Sequence, residues 1–234
     1  MKTGFTYVMS DIHGNAERFN SIINQIELKP EDSLYVLGDV IDRYPDGIRI
    51  LRLLMSLPNV KLLLGNHEYM MLEALDYHAD SPPDPWDPWG KSKYIRVWYA
   101  NGGEVTHEYL KHLRKTVRAE IFEYLKSLPL NIEIEVGGIQ YLLVHGGIVH
   151  HILQPDSTYE AVWQRIKSSD KMPEGKTVIF GHTPTLHYQN EVPMRIWHGT
   201  HMIGIDCGSG SGFPGEGRLA CLRLDDMKEF YSES

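Results

Sequence analysis

The chain has 234 residues, 42% hydrophobic and 23% charged. These ordinary values exclude disordered, collagen-like and coiled-coil classes. Lys and Arg number 23 against 31 Asp and Glu, a net charge of −8, so nothing general attracts nucleic acid or an anionic membrane and any phosphate must be held locally.

Taken in chain order, short apolar runs each end in a cluster of polar residues. Phe5–Met9 leads into Ser10-Asp11-Ile12-His13-Gly14, and a helix is predicted over Glu17–Ile26 from Phe19, Ile22, Ile23 and Ile26. Ser33–Leu37 leads into Gly38-Asp39-Val40-Ile41-Asp42-Arg43, and Gly47–Leu57 repeats the helical spacing. Val60–Leu64 leads into Gly65-Asn66-His67-Glu68, with helical spacing resuming at Met70–Leu75. Asp80–Gly90, rich in Pro, Asp and Trp, reads as a loop. Two further helices are expected around Glu104–Leu113 and Arg118–Leu128. Asn131–Val136 and Ile139–Val144 flank Gly137-Gly138, a hairpin signal, and the second strand leads into His145-Gly146-Gly147. Thr177–Phe180 leads into Gly181-His182-Thr183, and Met202–Asp206 and Arg218–Leu224 read as further strands. Gly208–Gly217 reads as a mobile turn, since it lacks the lysine of a phosphate loop. Strand–helix alternation early and hairpins late predict a mixed α/β fold, and no boundary divides residues 1–234 into two domains.

The residues after the strands are of metal-ligand type: Asp11, His13, Asp39, Asn66, His145 and His182. In α/β sheets, ligands gather beyond the carboxyl ends of the strands. Asp11 and His13 stand two apart, a spacing that points both side chains the same way in an extended backbone. Imidazole, carboxylate and amide together suit a borderline ion such as manganese, iron or zinc. Six ligands are too many for one catalytic ion and suit two, roughly 3.5–4 Å apart and sharing a carboxylate. Singly, the motifs have plainer readings: Asp-Ile-His-Gly as a turn, Gly-Asn-His-Glu as a helix start capped by Asn66.

All five motifs in this order resemble the phosphoprotein phosphatase branch of the calcineurin-like metallophosphoesterases, above all its small bacterial and phage serine/threonine phosphatases. The likeness runs from Asp11 to about Asp206. It implies two β-sheets packed as a sandwich flanked by helices in four αββα layers, with a dinuclear metal site at one edge. Asp11 and His13 would hold one ion, Asn66, His145 and His182 the other, and Asp39 would bridge. The ions would be manganese first, with iron or zinc as alternatives. His67, oriented by Asp42, would be the general acid, and Arg43 and Arg165 would clamp phosphate, Arg165 lying in a Trp-x-Arg motif at Trp163. The implied reaction is removal of phosphate from phosphoserine and phosphothreonine, with phosphotyrosine tolerated, by direct attack of a metal-bridging hydroxide. Phosphorylated proteins or peptides are then the expected partners, with no nucleic acid or membrane. The rival on the same scaffold is diadenosine tetraphosphate hydrolase, a class that lacks the Asp of Asp42-Arg43 and usually carries Asp where Glu68 stands. A departure from the pattern is Tyr44, where the family has glycine, which leaves the placing of Arg43 open.

Other features carry less. Trp86 and Trp89 either select substrate or pack down on the body, and the remaining histidines read as solvated or structural. Cys207 and Cys221 cannot form a disulfide framework and are expected to be buried apolar residues. The first apolar run is too short for a signal peptide or membrane helix, so a cytoplasmic protein is expected.

Overall fold

β-Branched and aromatic runs covered on both faces form the strands at the centre of the molecule. The computed structural model describes residues 4–77, 91–148, 157–210 and 217–233. The first sheet contains β1 (Thr6–Met9), β2 (Ser33–Val36), β3 (Val60–Leu62), β9 (Ala220–Arg223) and β10 (Lys228–Tyr231), in the order β10-β9-β1-β2-β3. The second contains β4 (Asn131–Val136), β5 (Ile139–Val144), β6 (Lys176–Phe180), β7 (Trp197–Gly199) and β8 (Met202–Gly204), in the order β4-β5-β6-β8-β7. Strands β1, β2 and β3 run parallel, as do β5, β6 and β8, while β9 runs antiparallel to both β1 and β10, β4 to β5 and β7 to β8. The β4–β5 turn places Gly137 at φ 60° and Gly138 at φ 82°, backbone that glycine adopts without steric cost.

The sheets face each other across one apolar layer. Val8, Tyr35 and Leu222 from the first meet Leu143, Ile179 and Ile203 from the second. Tyr7 and Met9 point the other way, as strand alternation requires, into the core beneath the helices. That core receives apolar faces of α1 (Ala16–Ile26), α2 (Gly47–Ser56), α3 (Asn66–Leu72), α4 (Lys91–Ala100), α5 (Glu104–Lys111) and α6 (Lys115–Lys126). α1 begins at Asn15, whose side chain accepts the Arg18 backbone N–H at 3.1 Å. α3 continues into a π-helical turn over Glu73–Tyr77. The outer face of the second sheet (Val144, Val178, Phe180, Met202) is covered mainly by Ile166 and partly buried Met172, Tyr188 and Trp197. α7 (Ser157–Trp163) sends Val162 into the helical core beside α3. Helices α1 to α6 thus cover the outer face of the first sheet.

Among the described residues, α4, α7, β7, β10 and a 3-10 turn at Thr185–His187 go beyond the sequence reading. The Asp80–Gly90 stretch with Trp86 and Trp89, and residues 211–216 of the glycine-rich turn, lie outside the described residues. Gly208, Ser209 and Gly210 are buried, and the Arg18 guanidinium donates to the Ser209 carbonyl at 2.7 Å. Both cysteines are free and buried. No described helix is long and apolar enough to cross a membrane.

Candidate metal centre

Three parallel strands from each sheet end at the same edge, and the residues just beyond them converge there. β1 delivers Asp11 and His13, β2 delivers Asp39, and β3 delivers Asn66 and His67 at the start of α3. β5 delivers His145 and β6 delivers His182. All seven side chains are buried.

The backbone bends sharply to achieve this. Asp11, His13, Asp39, Asp42, Arg43 and His182 all have φ between 51° and 72°, six of the ten non-glycine residues at positive φ among those described. Each such residue costs about 1–2 kcal/mol, so the strain is concentrated where the polar groups meet. Asp11 and His13 are therefore in left-handed turns and not in the extended geometry their spacing suggested. Their side chains still converge, with Asp11 Oδ1 3.9 Å from His13 Nε2. Tyr44 is not among the positive-φ residues, because the left-handed conformation falls on Asp42 and Arg43 instead. No glycine is needed at position 44.

Each imidazole is tied at one nitrogen and turned by the other toward the cluster. His13 Nδ1 donates to the Ile41 carbonyl at 3.2 Å and His145 Nδ1 to the Leu37 carbonyl at 2.6 Å. His182 Nε2 donates to the Trp163 carbonyl at 3.2 Å. The free nitrogens of His145 and His182 each lie 2.9 Å from Asn66 Oδ1. Asp39 reaches His13 Nε2 at 3.7 Å and His145 Nε2 at 3.4 Å. Ligand-type atoms fall into two groups, His13–Asp39–His67 and Asp39–His145–His182, each within 4.8 Å, and Asp39 belongs to both.

The electrostatics suit cations. Burial lowers His13 well below its ordinary value and takes His182 down to about 2, with His145 and Arg165 adding to the latter. Burial raises Asp11 to about 6, with Asp39 beside it adding to the effect. His145 is raised: Asp39, Asp11 and the Leu37 carbonyl outweigh its burial. His13 and His182, held neutral with free lone pairs, beside an Asp11 carboxyl that burial has made costly to ionise, are donors that divalent ions would satisfy.

His67 sits apart in character. Its Nδ1 donates to Asp42 Oδ2 at 2.7 Å, and its Nε2 lies 3.3 Å from Arg43 Nη2 and 3.9 Å from Asp39 Oδ2. Burial is the main cause that brings His67 down to about 4; Asp39 opposes this and Arg43 reinforces it. Burial raises Asp42 to about 7, against the lowering influence of the neighbouring Thr106 and Trp98 side chains. Arg43 and Arg165 are both exposed. Arg165 lies beyond the end of α7, with Nη1 3.5 Å from the His182 carbonyl.

The sequence reading gave no place in the site to three residues, although it used Glu68 to separate the two substrate classes. Glu68 is a hub: its carboxylate accepts backbone N–H groups from Asp39, Val40, Ile41 and Gly65. Trp98 on α4 donates its indole N–H to Asp42 Oδ2 at 2.8 Å. Asp206, just beyond β8, is buried close enough to Asp11 that burial and that neighbour raise it to about 7. Asp206 obeys the same strand-end rule as the others and was legible by it.

Serine/threonine-protein phosphatase 2 of Escherichia coli K12 is 28% identical over 229 residues, 93% of this chain and 92% of that one. The symmetrical bis(5'-nucleosyl)-tetraphosphatase of Acidovorax sp. JS42 is 30% identical over 145 residues, 61% of this chain and 44% of that one. The Erwinia tasmaniensis protein of the same name is 41% identical over 69 residues, 29% of this chain and 25% of that one. The chain thus spans less than half the length of these two relatives. A crystal structure described as a candidate diadenosine tetraphosphatase shares the fold with TM-score 0.62 at 18% identity, covering 98% of this chain and 93% of that one. The calcineurin-like phosphoesterases, which work through a dinuclear divalent metal centre, match residues 6–203 of this chain, and the chain belongs to that family of metallophosphoesterase hydrolases.

Proposed function

We propose that this chain is a metal-dependent phosphomonoesterase that removes phosphate from phosphoserine and phosphothreonine in proteins. The observation that carries the reading is the buried His67–Asp42 pair beside Arg43. A serine alkoxide is a strongly basic leaving group and gains about 10²–10⁴-fold from a positioned proton donor. The phosphate leaving group of a polyphosphate is far less basic and needs that donor less. The likeness to the Escherichia coli phosphatase over nearly the whole of both chains supports the same choice.

In this reading Asp11, His13 and Asp39 would hold one ion and Asp39, Asn66, His145 and His182 the other, with manganese the ion proposed. When bound, the ions supply an activated water and offset the charge of the phosphate. Arg43 and Arg165 present planar forks to the phosphate oxygens. An incoming phosphate dianion draws Arg43 from His67 and favours the imidazolium, and Asp42 holds the ring with Nε2 toward the departing oxygen. Two free, buried cysteines suit a cytoplasmic setting.

The second reading, hydrolysis of dinucleoside polyphosphates, is favoured by the tetraphosphatase relatives. A phosphoserine peptide and diadenosine tetraphosphate, offered side by side with Mn²⁺ and with chelator, decide between them. Metal-dependent release of phosphate from the peptide, with the dinucleotide spared, is expected. His67→Asn should abolish peptide turnover and leave the thermal transition in place. Preference for the dinucleotide would overturn the substrate class.

A further inference from the structure

The Asp42–Arg43 dipeptide is held in left-handed backbone by neighbours from a distant part of the chain. The Arg43 N–H donates to the Gly102 carbonyl at 3.0 Å, and the Asp42 N–H donates to Thr106 Oγ1 at 3.0 Å. The Trp98 indole N–H donates to Asp42 Oδ2 at 2.8 Å. These partners lie on α4, α5 and the turn between them. The turn fits closely: a Cβ on Gly102, at φ 93°, would stand 2.9 Å from Arg43 Cγ. A Cβ on Gly103 would stand 2.3 Å from the Trp98 indole nitrogen. Trp98 is wholly buried.

The two side-chain donors to the Asp42 carboxylate both use one oxygen. Oδ2 accepts from Trp98 and from His67 Nδ1, while Oδ1 has no hydrogen-bond partner among the described residues. Rotating the carboxylate breaks both bonds together. With Trp98 in place, Asp42 offers His67 a single direction, and the ring inherits it.

We infer that Trp98 is a positioning residue for proton donation to the leaving group, acting through Asp42 on His67. The inference rests on the reading of His67 as the general acid. Trp98 touches no substrate atom in this scheme; it fixes the carboxylate that fixes the imidazole. The class of substrate it serves is the phosphate ester of a poorly acidic alcohol, because only there does the proton matter strongly.

The test is leaving-group selectivity in the metal-replete enzyme. Trp98→Phe removes the N–H and also shrinks the ring. It should lower kcat/KM for a phosphoserine peptide about 10-fold or more, and for p-nitrophenyl phosphate less than about 3-fold. The small cavity left at this buried position acts on both substrates alike, so only the difference between them reads the lost hydrogen bond. Asp42→Asn and His67→Asn should show the same selectivity with larger losses. Equal losses on both substrates for Trp98→Phe, or no loss on either, would overturn the inference while the selectivity of the Asp42 and His67 variants upholds the acid. Unselective losses in those two variants would overturn the acid itself. Should Trp98→Phe fail to fold, Thr106→Val, which removes the acceptor of the Asp42 N–H, carries the same comparison: selective loss supports the corner's role and unselective loss refutes it.

Discussion

Replacing Glu68 by glutamine changes one atom at the centre of the fold. Glu68 Oε2 accepts from Asp39 and Gly65 N–H at 2.9 and 3.2 Å, and Oε1 from Val40 and Ile41 N–H at 2.9 and 3.3 Å. A glutamine has one oxygen, so two of the four donors would face an NH₂ group. A hydrogen bond to a charged acceptor contributes about 1.5–3 kcal/mol, so two lost bonds cost about 3–6 kcal/mol. Burial already raises the Glu68 carboxyl, and removing that desolvated charge returns part of the loss. The net expectation is about 3 kcal/mol, or about 6–12 °C for a chain of this size. The bonds also fix the backbone on either side of Asp39, so metal affinity should fall about 10–100-fold. Thermal melts in chelator and calorimetric titration with Mn²⁺ measure the two effects separately. A melting shift under about 2 °C with unchanged affinity would refute the role assigned to this carboxylate.

Asp39 belongs to both ligand groups, so Asp39→Asn should remove both ions together, read by metal content after gel filtration, and reduce turnover below about 1% of the parent. Arg165→Ala should raise KM for the phosphopeptide about 10-fold with a smaller change in kcat, read by steady-state kinetics, because it removes binding made in ground and transition states alike. Asp206→Asn should stabilise the metal-free protein at pH 8. A carboxyl raised to about 7 costs nothing below about pH 4, where folded and unfolded states are both protonated, and costs most above pH 7, where the folded state must ionise it. The gain at pH 8, on the order of 3 kcal/mol, should fade as pH drops through 7 toward 4, and a gain independent of pH would refute the assignment.

The elements easiest to read were those with a local pattern. β1, β2 and β6 are short runs covered mostly on both faces, β3 continues into the buried Leu63 and Leu64, and α1 and α2 repeat apolar residues at 3.6-residue spacing. The ligand-type residues were legible because every one lies just beyond a strand. α4 was missed because most of its described side chains are exposed or half-buried and, among them, only Trp98 is deeply inserted, which leaves no stripe. β7 and β10 are short edge strands with few buried residues, and edges need little apolar patterning. The contacts of Trp98 with Asp42 and of Arg165 with His182 join residues 56 and 17 positions apart, and no periodicity encodes such pairs. Left-handed backbone at Asp11 and His13 was equally hidden, because it is imposed by the loops the strands feed and not by the residues themselves.

The two ligand groups differ in which layer supplies them. Asp11, His13 and Asp39, proposed for one ion, all follow strands of the first sheet, whereas the other set joins Asp39 and Asn66 to His145 and His182 of the second. Complete unfolding releases both ions, and each then contributes according to its affinity alone. A partial opening that parts the two sheets would break only the second group. Hydrogen exchange across the Val8–Ile179 layer should therefore slow when the second position fills and respond little to the first, making one ion a cross-tie between layers and the other a tenant of a single layer.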